Sequence, residues 1–164
     1  NYPNKVFHLR MLAEITGFST TAVDDAIEEL KNFDIVEIVH SHLTKNIKAN
    51  LSSEAYHFYK LIFNLYRLKR YSIVDNLIKI FQNPEAIVLF GSFAKGEDIE
   101  ESDIDILVIS KNEPNENLSD FVNIIEKDLK RKSDLCILPS LEKSSVVHHP
   151  SCPSRLTLAG VQNA

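Results

Sequence analysis

The sequence predicts an α+β protein in two parts, on three observations. The first half alternates amphipathic helical stripes with β-branched runs that read as a hairpin. The second half opens on a buried-strand run that meets a glycine turn at once, then offers a second strand, a helix and a third strand. Charge divides the two: residues 1–83 carry 10 Lys and Arg against 9 Asp and Glu, a net of +1, whereas residues 84–164 carry 8 against 14, a net of −6. The division falls at Asn83-Pro84, where a helical pattern stops at a turn signal. A chain of 164 residues has room for one ordinary domain or two small ones.

Composition excludes several classes of function. With 44% hydrophobic and 25% charged residues the chain has the makeup of a folded globular protein, and 4 Gly with 6 Pro exclude low-complexity and collagen-like readings. A formal charge of −5 excludes a generally basic nucleic-acid coat and leaves only local basic patches. The longest apolar runs are short, such as residues 106–109, so no membrane partner is predicted. No secretory signal opens the chain. Cys136 and Cys152 are too few for a disulfide scaffold and read as two reduced thiols of a cytoplasmic protein.

In the first half, residues 8–16 place Leu9, Leu12, Ala13 and Ile15 on one helical stripe. Gly17 suits the position just past its end, and Ser19 the N-cap of the next helix. That helix, residues 20–32, sets Val23, Ile27 and Leu30 on one face. Residues 35–40 form a short β-branched strand, and residues 47–51 return as a second strand after a polar turn. Two helices around a tight turn followed by a hairpin resemble a winged helix-turn-helix domain over residues 6–51. The resemblance implies a further helix before Val6, for which there is no room, so a trimmed or abbreviated domain is expected. It also implies that the second helix enters a DNA major groove. The outer face of that helix holds Asp24, Asp25, Glu28 and Glu29 against Lys31, and phosphates would repel it. Protein interaction or dimerisation is therefore expected over DNA binding, with Lys45 and Lys48 the remaining phosphate contacts.

A long helix over residues 52–81, broken near residues 69–72, carries Tyr56, Tyr59, Phe63 and Tyr66 at three- and four-residue steps. Leu65, Ile73, Leu77 and Ile80 continue the pattern. Such a stripe belongs in a core or a dimer seam, which makes a homodimer an expectation. Arg67, Lys69 and Arg70 form a basic cluster, either a solvated face or a contact for an acidic partner or a nucleotide.

The second half carries the chemistry. Residues 86–90 are a buried strand, followed by Gly91-Ser92-Phe93-Ala94-Lys95-Gly96. A strand that ends in Gly-Ser and turns into a short helix presents unpaired backbone N–H groups and a hydroxyl, a geometry that suits phosphate. Gly91 lets the backbone approach a ligand, Ser92 can donate to a phosphate oxygen, and Lys95 could reach a β- or γ-phosphate. Ten residues separate Ser92 from Asp103 in Asp103-Ile104-Asp105, which leads into an apolar strand. On a strand these two carboxylates point together, with Cα atoms about 7 Å apart. They repel unless something positive lies between them, and a hard divalent cation with oxygen ligands is one answer. The other is an acidic strand start exposed to water, with Ser102 capping the turn.

Gly91-Ser92, ten residues, then Asp103-x-Asp105 resembles the signature of the DNA polymerase beta-like nucleotidyltransferase superfamily. The run from Leu89 to Gly96 looks most like its small members, the minimal nucleotidyltransferases. The resemblance covers residues 84–139 and implies a small transferase domain with a mixed sheet flanked by helices, over residues 84–164. It implies a third carboxylate on a later strand, for which Asp134 is the candidate. Asp134 follows a helix with Leu118, Phe121, Val122, Ile125 and Leu129 on one face. The strand–loop–strand–helix–strand order would bring the last strand beside the middle one. Asp134 alone could equally be a surface residue at a strand start.

The resemblance further implies a Mg²⁺- or Mn²⁺-dependent transfer of a nucleoside monophosphate, AMP from ATP, onto an acceptor. Asp103, Asp105 and Asp134 would be catalytic and metal-binding, and Gly91, Ser92 and Lys95 would bind the nucleoside triphosphate. In small relatives the acceptor can be a partner protein, as in antitoxins that adenylylate a toxin. The other class of function is a winged-helix regulator whose transferase domain senses nucleotide or is inactive. In the tail, residues 141–147 read as a short helix. His148-His149 and Cys152 invite either a zinc site or a proline-bounded loop. Residues 155–161 could close the sheet or pack as a final helix.

Overall fold

The structure, a computed structural model, describes residues 2–41, 44–115 and 118–139. The expected tail elements, the His148-His149…Cys152 cluster and Cys152 itself lie outside them.

A two-residue strand, β1 (Phe7–His8), leads straight into helix α1 (Leu9–Thr16). The expected helical start at His8 is therefore one residue early: His8 keeps extended backbone as the N-cap. Gly17 closes α1, its N–H donating to the Ala13 carbonyl at 2.9 Å. Ser19 then caps α2 (Thr20–Asn32), its hydroxyl accepting from the Ala22 N–H at 3.2 Å. β2 (Val36–Ser41) pairs antiparallel with β3 (Thr44–Ala49), from Val36 opposite Ala49 to Ser41 opposite Thr44. β1 adds to the far edge of β3, giving a sheet in the order β1-β3-β2. The second strand ends before the predicted Leu51 because Asn50 turns the chain. The Asn50 carboxamide oxygen accepts from the Ser52 N–H at 3.3 Å and the Ser52 hydroxyl at 2.8 Å. Ala13, Val23, Ile27 and Ile47 form a small core here, with Leu9, Leu12, Val36 and Ile38 packed on it. Leu30, expected on the same face as Val23 and Ile27, is exposed.

The predicted long helix is two helices, α3 (Glu54–Arg70) and α4 (Ile73–Ile80). The break falls at Tyr71-Ser72, inside the predicted interval, with Ser72 in the left-handed region at φ 53°. Ser53 caps α3 through its hydroxyl, which accepts from the Tyr56 N–H at 3.2 Å.

The second sheet has the order β4-β5-β6, from β4 (Ala86–Phe90), β5 (Ile104–Ser110) and β6 (Ser133–Pro139). β4 is antiparallel to β5, and β5 is parallel to β6 across helix α5 (Leu118–Leu129). A parallel neighbour requires such a crossover, as the sequence order predicts. The main core joins Ile73, Leu77, Ile80 and Phe81 from α4 and its end with Phe93, Ile104, Ile106 and Val108 from the sheet region, and with Phe121, Ile125 and Leu129 from α5. The expected division at Asn83-Pro84 thus runs between residues that share one core. Among the described residues no helix is long and apolar enough to cross a membrane.

α3 buries the face opposite to its aromatic stripe. Lys60, Asn64 and Leu68 are buried, whereas Tyr59, Phe63, Leu65 and Tyr66 are exposed. The buried polar side chains meet Asp98, itself 1% exposed. Asp98 lies 3.2 Å from the Lys60 ammonium and 2.9 Å from the Arg131 guanidinium, and accepts from the Asn64 carboxamide at 2.7 Å. A carboxylate this deep is tolerated only because two cations and an amide replace its water.

Removing it leaves two cations facing each other without water. Asp98→Ala is expected to destabilise the chain by about 3–5 kcal/mol. Asp75→Ala, which breaks the exposed Lys69–Asp75 pair, should cost less than about 1 kcal/mol. Urea unfolding of both variants beside the parent reads the contrast.

Candidate active site

The end of β4, the start of β5 and the start of β6 lie side by side. Phe90 pairs with Asp105, and Asp105 pairs in register with Asp134 on the parallel strand. Register partners project from the same face, on strands about 4.8 Å apart. Asp105 and Asp134 therefore share a face. Asp103 lies just before β5, exposed like Asp134, and Asp105 is half-buried.

The Asp105 carboxyl feels the other two. Burial pushes the Asp105 carboxyl above its ordinary value, and the Asp134 and Asp103 carboxylates add to the rise. Gly91 explains the burial. It takes φ 72°, and a Cβ built on it would collide with the Asp105 carboxylate. The glycine thus serves two ends, the left-handed turn and a seat for Asp105.

After Gly91 the chain makes a short 3₁₀ turn at Phe93–Lys95. The Ser92 carbonyl accepts from the Lys95 and Glu97 N–H groups at 3.1 and 3.0 Å. Phe93 is fully buried and anchors the turn, which leaves Lys95 exposed and Ser92 partly so. Ser102 closes the loop, its hydroxyl accepting from the Ile99 N–H at 2.9 Å, so the capping role expected of it is present.

α3 grips this loop along its length. Asn64 donates to the Phe93 carbonyl at 3.0 Å, and Lys60 to the Asp98 carbonyl at 2.7 Å. The His57 ring bridges the Gly96 and Leu51 carbonyls at 2.9 and 3.0 Å. Gly96 is again left-handed, and a Cβ there would strike the α3 backbone at His57. From the other side Arg131 donates to the carbonyls of Ile99 and Ser102, the latter at 3.0 Å, while Arg67 donates to the Leu129 carbonyl at 2.6 Å. Lys60, Asn64, Asp98 and Arg131 were not singled out by the sequence reading. For the two on α3 the available signal was position: Lys60 and Asn64 recur with Leu68 every four residues opposite the aromatics.

Carboxylate oxygens that repel one another are the donor chemistry of a hard cation. Among the described residues, no three or more His, Cys, Asp or Glu side chains are arranged to hold a metal ion as they stand. The aspartates suit a cation by donor type and by register, and their side chains are not drawn to a common point.

In the first half, the two cations expected to meet phosphates are engaged elsewhere. Lys45 bonds Asp24 at 2.6 Å and Glu28 at 2.5 Å, and Lys48 pairs with Glu37 at 2.8 Å. Burial draws the Lys45 ammonium down, but the bonds to Asp24 and Glu28 outweigh it and hold it above its usual value.

Residues 74–150 match the family described as polymerase beta, nucleotidyltransferase. The matched stretch takes in Gly91, Ser92, Lys95, Asp103, Asp105 and Asp134, and it begins inside α4. This part of the chain is similar to a nucleotidyltransferase domain, and the similarity supports nucleotidyl transfer in general. No curated protein and no solved structure matches the chain.

Two measurements probe the carboxylate seat. Gly91→Ala should destabilise the fold by about 1–3 kcal/mol through the left-handed backbone alone, with the collision against Asp105 adding to it, as read by urea unfolding. Asp105→Asn should act in the opposite direction in chelator. A carboxyl with a higher pKa folded than unfolded costs nothing below its unfolded value, and its ionisation is paid in full above its folded value. The variant should therefore melt higher than the parent near neutral pH, and the gain should vanish as the pH falls below about 4.

Proposed function

We propose that the chain is a nucleotidyltransferase that moves AMP from ATP onto an acceptor hydroxyl, a partner protein being one candidate for the acceptor. The reading is carried by one arrangement: a phosphate-type turn at Gly91-Ser92 beside a face shared by Asp105 and Asp134. The family match over residues 74–150 supports the reaction class.

In this reading the Gly91-Ser92 backbone and the Ser92 hydroxyl receive the β- and γ-phosphates, and the exposed Lys95 ammonium offsets their charge. Asp103, Asp105 and Asp134 would hold Mg²⁺ or Mn²⁺, which supplies charge neutralisation for the triphosphate and acidifies the acceptor hydroxyl. Asp134, exposed at the start of β6, accepts the hydroxyl proton. The acceptor oxygen bonds to the α-phosphorus as the bond from that phosphorus to the bridging oxygen breaks, and pyrophosphate leaves with the bonding electrons. The loop that carries Ser92 and Lys95 needs no reordering for this, because α3 and Arg131 already fix it.

The first half is proposed as a winged-helix module that meets protein rather than DNA. Lys45 and Lys48 are spent on Asp24, Glu28 and Glu37, so this surface has few charges left to neutralise phosphates.

Calorimetry tests the site. ATP binding should require Mg²⁺ or Mn²⁺ and should fall at least tenfold in an Asp103→Asn, Asp105→Asn double variant; unchanged binding would refute the assignment. Turnover is read by incubating the chain with labelled ATP and a lysate. Label should appear on an acceptor, and metal-dependent binding without transfer would favour nucleotide sensing.

A further inference from the structure

Helix α3 turns its polar face inward and its apolar face out. Lys60, Asn64 and Leu68 are buried against the loop and core. At 100° per residue the opposite face is led by Phe58, Tyr59, Ile62, Leu65 and Tyr66. Phe58 is 60% exposed, Tyr66 57% and Ile62 47%. Phe58 and Tyr59 meet edge to face, their ring centroids 5.7 Å apart. Most of the faces of these rings stand in water, against the usual sense of an amphipathic helix.

The pattern is also symmetric. Ile62 is the midpoint of Glu54–Arg70. Phe58 and Tyr66 lie four residues to either side of it, Tyr59 and Leu65 three, and the acid Glu54 and the base Arg70 eight. In an antiparallel isologous contact about Ile62 each residue meets its counterpart across the axis, so Phe58 faces Tyr66, Tyr59 faces Leu65 and Glu54 faces Arg70, apolar against apolar and acid against base. We propose that this face is the seam of a homodimer, in which α3 packs antiparallel against α3 of a second copy with the two-fold axis at Ile62.

Size and charge both favour a second copy as the occupant. Fully buried aromatic side chains cover about 150–250 Å² each. Half-exposed, those on this face together with Ile62 and Leu65 present on the order of 500 Å² of apolar surface, which is at the upper end for a monomer. With the flanking polar side chains the face approaches the roughly 800 Å² per partner of a stable interface. Antiparallel packing sets Glu54 of one copy beside Lys69 and Arg70 of the other, and opposes the two helix dipoles. The residues that grip the loop lie on the far side of α3, so association and the proposed transferase site do not compete for the helix.

Sedimentation of the full chain across a dilution series tests this. A reversible dimer is expected. Ile62→Glu places two like charges on the axis and should raise the dissociation constant at least about 100-fold. Ile62 is half-exposed, so far-UV circular dichroism and melting should match those of the parent under monomeric conditions. Under mild oxidation the Ile62→Cys variant should form a disulfide-linked dimer that the parent does not. Replacing Lys69 and Arg70 with Glu should weaken the dimer, and adding Glu54→Lys should restore it. A chain that stays monomeric throughout the series would overturn the proposal, as would a dimer that tolerates Ile62→Glu.

Discussion

One buried carboxylate sets the geometry of the second half. Asp98 sits in the loop between β4 and β5, and its partners come from two other places: Lys60 and Asn64 from α3, and Arg131 from the turn before β6. Arg131 also reaches the carbonyls of Ile99 and Ser102, in the stretch that leads into Asp103. The node therefore ties together the approach to β5, the approach to β6 and the helix behind them. Those two approaches deliver Asp103, Asp105 and Asp134. An ion cluster of this kind adds little net stability over an apolar packing of the same volume. What it supplies here is position, since Lys60, Asn64 and Arg131 each also bond a backbone carbonyl of the same loop.

The carboxylate face follows a different logic. Asp105 is held where its charge is least welcome, partly buried, seated on Gly91 and flanked by Asp134 and Asp103. Nothing in packing requires such an arrangement, and an asparagine would fit the strand as well. The contrast with Asp98 is instructive. Both are aspartates near the start of β5, but one faces two built-in cations and the other faces two carboxylates.

The site was legible in the sequence because its signals are local. A strand, a Gly-Ser turn and an Asp-x-Asp strand fall within 20 residues, from Ala86 to Asp105, and strand periodicity alone sets Asp103 and Asp105 on one side. That β6 lies beside β5 followed from the order of elements; the register of Asp134 with Asp105 did not. α2 and the interruption between α3 and α4 were legible for the same reason, being set by Ser19 and by the pattern around Tyr71. The orientation of α3 was not. Hydropathy left its aromatic face open between a core and a dimer seam; the structure puts that face outside the core of the chain, with a lysine and an asparagine inside. Their burial depends on Asp98 and Arg131, more than 30 residues away in sequence, and no window along the helix contains that information. Strand β1 was missed because two residues carry no alternation, and it forms only because β3 offers it an edge.

The attachment of α3 bears on how the molecule is assembled. Its N-cap serine follows closely on the hairpin of the first half, and its inner face supplies Lys60 and Asn64 to Asp98. It cannot be regarded as a spacer between two independent modules. A segment beginning at Pro84 would carry every proposed catalytic side chain and still lack the scaffold that shapes their loop. The second half is consequently not portable: grafted to another carrier, it would have to bring this helix with it.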